Sequence, residues 1–307
     1  MDNSSGLILE GGAMRSVFSA GILDFLMEKG IDIPNMIAVS AGAYLGMNYV
    51  SGQRERCLET LIKPLKQYKF LGVGTFFRKG TFFDMDYLFD TVLKEKAPFD
   101  FETFRKSTKR FVTSTVDCEK GKLIYHEEFK TEDEFYNVCR AANSLPPVVG
   151  ITYVKDRPML DGGLADAIPI AKALEEGWKK IVVILTRDAS YRKKDKLSID
   201  MKINKILYRK YPRLLELIDK RATTYNQSVD LIEELEREGR AFVFRPTQIT
   251  VKNGESNVEK LLAYYQHGYD TAKRRYHELL DFLTGKTEEK TDGKRNSAIS
   301  IGGGSKT

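Results

Sequence analysis

Ile37-Ala38-Val39-Ser40-Ala41-Gly42-Ala43-Tyr44 sets a serine between a short apolar run and a stretch that can continue as a helix. A serine at a sharp strand-to-helix turn stands clear of the backbone on both sides, and the strained dihedrals of such a turn admit only small neighbours. The expectation is an elbow that exposes the Ser40 hydroxyl for attack. Its usual form is G-x-S-x-G; here Ala38 occupies the first glycine position and Gly42 the second. The competing reading is a plain serine N-cap at the start of a buried helix.

Working outward, Leu7-Ile8-Leu9 reads as a buried strand, and Glu10-Gly11-Gly12-Ala13-Met14-Arg15-Ser16 follows as a glycine-rich turn before the helical pattern of Ala20 to Met27. Glycines let backbone amides turn towards an anion, and the helix N-terminus behind them adds partial positive charge. The lysine and Ser/Thr of a P-loop are missing, as is G-x-G-x-x-G spacing, so an oxyanion site is favoured over a nucleotide cradle. A plain tight turn is the alternative. Ile37 to Val39 would be a second parallel strand, with Ala41 to Val50 the helix behind the serine.

The 307-residue chain is 42% hydrophobic and 30% charged, the balance of a globular protein with a substantial core in one large α/β domain or two smaller ones. Met1 to Ser5 lacks a basic n-region and Leu7-Ile8-Leu9 is cut off by Glu10-Gly11-Gly12, so no signal peptide is expected. No run is long enough to span a bilayer. Cys57, Cys118 and Cys139 are scattered without metal-ligand spacing, which points to a reducing cytoplasm and to neither disulfides nor a structural zinc. The formal net charge of +6 permits attraction to anionic lipid or nucleic acid and identifies neither.

Between residues 63 and 104 aromatics crowd together with cations: Phe70, Phe76, Phe77, Phe82, Phe83, Tyr87 and Phe89 among Lys66, Lys69, Arg78 and Lys79. Such an insertion would cap a site and meet acyl chains or a membrane surface; a satellite hydrophobic cluster is the bland reading. Arg110 to Thr115 and Lys122 to Tyr125 look like strands joined by a tight turn, and Glu132 to Ala142 suits a helix. Arg157-Pro158-Met159-Leu160-Asp161-Gly162-Gly163 then delivers an aspartate at the end of an apolar segment, making Asp161 the second catalytic candidate. Asp166 reads as the cap of a helix running to Gly177. Lys180 to Thr186 is the clearest buried strand. Arg187 to Lys196 is a basic loop, with Lys202, Lys205, Arg209, Lys210 and Arg213 beyond it; a solvated face is the first reading and an anionic membrane surface the second, while base-reading motifs are absent. Ala222 to Glu238 is expected as an amphipathic helix, Ala241 to Phe244 as a late strand, and Asn257 as the start of a final core-packing helix. From about Gly285 the tail turns polar and is expected to be disordered.

A serine hydroxyl needs a proton acceptor. His126 sits next to an expected strand end, and a triad in the order Ser, Asp, His would need His267 or His277, neither of which has a supporting loop signature, whereas an aspartate held against Ser40 can act directly if its proton affinity rises as charge develops. The glycine turn after a strand, Ser40 in an elbow and Asp161-Gly162-Gly163 after an apolar segment together resemble the patatin-like phospholipases, over about the first 190 residues, and Leu145-Pro146-Pro147 is similar to that family's proline-containing stretch. Glu10 stands where an aspartate is common, and Ala13, Ser16 and Ala38 replace glycines. The resemblance implies Ser40 as nucleophile, Asp161 as base, the amides of Gly11, Gly12 and Ala13 as oxyanion donors, and Arg15 holding that loop or meeting a phosphate. It implies no metal and no cofactor.

The expected fold is a three-layer α/β/α core over 1–190 with a mostly parallel sheet and a cap insertion at about 63–104, a helical C-terminal region at 191–284, and a disordered tail at 285–307. The expected function is cytoplasmic, peripheral lipid acyl hydrolysis at phospholipid or another acyl ester, with contact to anionic membrane and none to nucleic acid. A soluble carboxylesterase or thioesterase with the same dyad and a non-catalytic lipid-binding protein on the same scaffold are the alternatives.

Overall fold

The computed structural model describes residues 3–146, 148–194 and 199–285. Pro147, Lys196 and the tail from 286 onward, on which parts of the sequence reading fall, lie outside the described residues; Gly285 is the left-handed residue that closes the last helix. In chain order the elements are β1 (Ser5–Leu9), a 3-10 turn (Ala13–Ser16), α1 (Val17–Glu28), β2 (Asn35–Ala38), α2 (Ala41–Val50), a π-type segment (Leu58–Ile62), a 3-10 turn (Lys63–Lys66), α3 (Val73–Lys79), a second π-type segment (Tyr87–Lys96), α4 (Phe101–Lys106), β3 (Arg110–Asp117), β4 (Lys122–His126), α5 (Glu132–Ala142), β5 (Thr152–Val154), β6 (Arg157–Asp161), a 3-10 turn (Gly162–Leu164), α6 (Ile170–Glu175), β7 (Lys180–Ile184), α7 (Ile199–Leu207), α8 (Pro212–Arg237), β8 (Ala241–Phe244), α9 (Val258–Arg274) and α10 (Tyr276–Thr284).

One sheet runs β5-β6-β3-β2-β1-β7-β8, with β4 also paired to β3. β1, β2, β3, β7 and β8 are parallel, and β4, β5 and β6 are antiparallel to their neighbours. Alternation along the central strands makes the layers. Leu7, Leu9, Met36, Val182 and Ile184 enter the core under α1, α2 and α9, while Ile8, Ile37, Ile181 and Val183 enter the one under α6 and α8. β1 and β7 are therefore nearly continuous apolar runs, as strands between two helix layers require, whereas β3, equally buried, carries Thr113, Ser114 and Thr115.

The C-terminal helices are built into this core. β8 pairs in parallel with β7, and α9 lies against α1 so closely that a Cβ on Gly21 would stand 2.0 Å from the carbonyl of Tyr265, and one on Gly268 1.9 Å from that of Phe18. Any side chain at either position would push the helices apart. The Asn257 side chain caps α9 by accepting from the amide of Lys260.

Two sequence expectations need correction. Asp166 does not cap α6: Ile170 is its first residue, Pro169 precedes it, and the Asp166 carboxylate accepts from the amide of Ile168 in a local turn. Proline keeps the residue before it out of the helical region, so the helix cannot start at Asp166. The long helix α8 begins at Pro212 rather than Ala222, because proline suits a first helical position and Leu214 and Ile218 extend the buried stripe towards the sheet. In the insertion, Phe70 and Phe89 join the main core, whereas Phe76 and Phe77 are exposed, so the aromatic cluster divides into packing and surface parts. Cys57, Cys118 and Cys139 are free and buried.

Candidate active site

Ser40 takes φ 56° and ψ −132°, a conformation that L-residues adopt only under constraint, and sits at the N-cap of α2. Small neighbours permit it. A Cβ on Gly42 would meet the carbonyl of Leu9 at 2.8 Å, so α2 can leave the elbow only by running hard against β1. The methyl of Ala38 has room because Gly46 lies opposite it, and a Cβ there would stand 3.3 Å away. Alanine in place of the first elbow glycine is thus accommodated by a glycine on the facing helix.

Strand register delivers the partner. Thr113 pairs with Ala38 on one side and His126 on the other, and Thr115 pairs with Asp161 and Ile124. β4 therefore occupies one edge of β3, while β2 and β6 share the other, end to end. The C-terminal ends of β2 and β6 meet, and Ser40 Oγ donates to Asp161 Oδ2 at 2.5 Å across 121 residues of sequence. The second Asp161 oxygen accepts from the amide of Gly163 at 2.8 Å. Gly162 has no space for a side chain, since a Cβ would fall 2.1 Å from Ser114 Oγ.

Asp161 is 1% exposed, and burial pushes its carboxyl up to about 6, partly opposed by the hydrogen bonds from Ser40 and Gly163 and by the nearby charges of Arg221 and Lys193. Arg221, on α8, donates from Nε to the carbonyl of Gly163 at 2.9 Å, which fixes the turn that holds the carboxylate. Lys193 lies over the Tyr225 ring, its backbone tied to the Asn226 side chain, and burial lowers its ammonium to about 7. The basic loop is not simply a solvated face: Lys193 is folded in against α8, and Arg192 pairs with Asp230 and Glu233 on the same helix.

The glycine-rich turn lies directly on the elbow. A Cβ on Gly11 would stand 2.4 Å from Ser40 Cβ, so only glycine lets the two backbones approach. Ala13 carries a positive φ of 50°. The amide of Met14 is used by the carbonyl of Asn253, and that of Arg15 by Gly12. The amides of Gly11, Gly12, Ala13 and Ala41 have no backbone acceptor among the described residues. Glu10 is a buried brace: its carboxylate accepts from the amide of Thr186 at 2.6 Å, from Thr186 Oγ1 at 3.0 Å and from the Tyr225 hydroxyl at 3.0 Å. It joins the ends of β1 and β7 to α8. Arg15 is buried, with no partner for its Nε, and burial, then the neighbouring Arg187, lowers its guanidinium.

A cavity of about 290 Å³ has Ser40 in its wall and runs under the insertion, lined by Met14, Tyr44, Leu71, Phe82, Leu88 and Val148 among others. Its walls are mostly apolar, which suits an alkyl chain. A wider depression flanked by Asp90, Lys94, Asp133 and Arg140 shares no lining residue with it, and these charges pair among themselves.

Of the residues singled out in sequence, the structure brings together Ser40, Asp161, Gly162, Gly163, Gly11, Gly12, Ala13, Ala38 and Gly42. It places none of the three histidines on the dyad: His126 bonds the Thr115 hydroxyl, His267 the Thr247 hydroxyl, and His277 lies tilted against the Tyr276 ring. Sequence reading missed Arg221, Tyr225, Lys193 and Asn253, all from the C-terminal part of the chain. A usable signal existed for α8 alone, where Tyr225 and Ser228 share the buried stripe with Ala222.

A family model described as patatin-like phospholipase matches residues 7–174, and one described as a domain of unknown function, DUF6363, matches residues 211–284. The uncharacterized protein YjjU of Escherichia coli (strain K12) is 27% identical over 191 residues, covering 59% of this chain and 51% of that protein. The chain therefore spans about half the length of this curated relative. The crystal structure of VipD from Legionella pneumophila is similar with a TM-score of 0.46 and 14% identity, over 89% of this chain and 67% of that one.

Proposed function

The chain belongs to the patatin-like phospholipase family, and from that premise we propose that it is a serine lipid acyl hydrolase working through Ser40 and Asp161 at an anionic membrane surface. The observation that carries the reading is the 2.5 Å hydrogen bond from Ser40 Oγ to a buried aspartate, with Ser40 in the lining of an apolar cavity. Asp161 takes the Ser40 proton as Oγ attacks the ester carbonyl, and the carbonyl oxygen becomes an oxyanion held by the amides of Gly11, Gly12 and Ala13, with that of Ala41 beside them. Collapse breaks the ester bond, and Asp161 returns the proton to the departing alcohol. Asp161 then deprotonates a water that attacks the acyl-serine, releasing the fatty acid and restoring the Ser40 hydroxyl. A carboxyl group near 6 is ionised at neutral pH yet basic enough to share a proton, the balance a general base needs. Glu10 and Arg221 hold the two halves of the site, and Arg15 supports the loop.

Hydrolysis of a short monomeric ester and of micellar phospholipid, each compared with Ser40→Ala, tests this. Release of fatty acid from phospholipid that vanishes in the variant supports lipid hydrolysis. Activity on the monomeric ester alone reassigns the protein as a soluble esterase. A folded wild type inactive on both substrates contradicts the reading.

A further inference from the structure

The cavity at Ser40 must be filled from somewhere, and its outer wall leads to the surface. Leu71, Gly72, Phe82 and Phe83 line it, and Phe82 stacks on Phe76 with ring centroids 4.7 Å apart. Phe76 belongs to α3, whose residues 73, 76 and 77 fall on one helical face. That face is bare: Val73 is 63%, Phe76 42% and Phe77 83% exposed. Thr75, on the other side of the helix, is buried and donates to the carbonyl of Lys69. Large apolar side chains grouped in this way at the mouth of an apolar cavity mark a contact surface.

The surrounding charge says what it contacts. Lys66, Lys69 and Arg78 are exposed around α3 and have no carboxylate partner among the described residues. Arg78 is fixed by a bond to the carbonyl of Lys69 at 2.7 Å and lies over the Tyr68 ring. Lys79 alone is near acids, 3.9 Å from Asp84 and 4.0 Å from Asp86. Rings projecting beyond a collar of cations match an interface in which headgroups are anionic and acyl chains lie beneath them. Gly72 and Gly80, both at positive φ, end the helix and let it stand out from the insertion.

Resting on the lipid reading of the Ser40 site, we propose that α3 is the membrane-docking element of this protein: Val73, Phe76 and Phe77 enter the acyl region of an anionic bilayer while Lys66, Lys69 and Arg78 meet its headgroups. Docking there puts the mouth of the cavity against the membrane, so that an acyl chain passes along Phe76 and Phe82 towards Ser40 without crossing water.

Vesicle flotation of the full chain carrying Ser40→Ala separates binding from turnover. Vesicles of phosphatidylcholine with phosphatidylserine should retain the protein more than phosphatidylcholine alone, with retention weakened by salt. Val73→Ser/Phe77→Ser in the same background should lower the bound fraction about tenfold. In the otherwise wild-type chain these two changes should leave hydrolysis of a short monomeric ester unaltered, since neither residue lines the cavity, while hydrolysis of vesicle lipid falls. Unchanged monomeric hydrolysis also shows that the double variant folds. If it does not fold, Phe77→Trp serves instead, and quenching of its fluorescence by brominated acyl chains is expected. Undiminished vesicle binding by the double variant, no quenching, or a wild-type dimer that the double variant abolishes would overturn the proposal, the last by making a second copy the occupant. A wild type that binds vesicles through α3 but hydrolyses nothing would sink the hydrolase reading and leave the docking surface standing.

Discussion

A buried carboxylate must be stabilised by something, and at Asp161 the means are few: one hydroxyl, one amide and two cations that do not touch it. Burial outweighs them and holds its proton more tightly in the folded chain than in the unfolded one. Its contribution to stability is therefore fully present below the unfolded value of 3.8 and is lost as pH rises through about 6. Asp161→Asn removes the charge while keeping the shape, so the variant should be more stable than wild type at pH 8, by up to about 3 kcal/mol, with the gap closing towards pH 4. Urea unfolding at the two pH values measures this, and a gap independent of pH would refute it. With Asp161 as the proposed base, kcat/KM should fall as pH drops through about 6, because protonated Asp161 cannot accept from Ser40. Ser40 and Asp161 were legible because each sits among small residues at the end of an apolar run. Glu10 was read only as a departure at a position where aspartate is common; its role as a brace depends on Thr186 and Tyr225, 176 and 215 residues away, and no local pattern announces such partners.

At the scale of elements, β1, β2, α2, β3, β4, α5 and β7 follow directly from hydrophobic period and turn chemistry, and the capped start of α9 could be read from Asn257 alone. What escaped was the work of α8. Its sequence is an ordinary amphipathic helix, yet it carries Arg221 to the Gly163 carbonyl and Tyr225 to Glu10, contacts that depend on how the helix docks across the sheet. We assign Arg221 as a positioning residue. Arg221→Gln should lower kcat about tenfold or more with little change in KM, since the turn holding Asp161 loosens. It should also move the acidic limb of the pH profile upward, because Asp161 loses a neighbouring positive charge that favours its ionised form. Arg221→Lys keeps the charge and should restore the limb more than the rate. A residue that served stability alone would change melting and leave the pH limb in place.

For the molecule as a whole, the match to a patatin-like core ends at residue 174, but the working unit extends further. β8 extends the sheet, α9 packs backbone to backbone on α1, and Asn253 holds the glycine-rich turn through the amide of Met14. A chain ending before residue 211 would expose the edge of β7 and the face of α1 that carries Phe18 and Phe25. It should show no cooperative unfolding transition, as followed by circular dichroism during heating; a cooperative melt would mean that the core stands alone. No helix among the described residues is long and apolar enough to cross a membrane; α3 is the surface proposed to meet lipid. All of these parts bear on the proposal that Ser40 is a nucleophile with Asp161 as its base. The most direct measurement is mass spectrometry of the intact protein after treatment with a fluorophosphonate, followed by peptide mapping, for wild type, Ser40→Ala and Asp161→Asn. A single adduct on Ser40 is expected in wild type, none in Ser40→Ala, and labelling at least a hundredfold slower in Asp161→Asn. A folded wild type that stays unlabelled, or labelling that persists without Ser40, would contradict it.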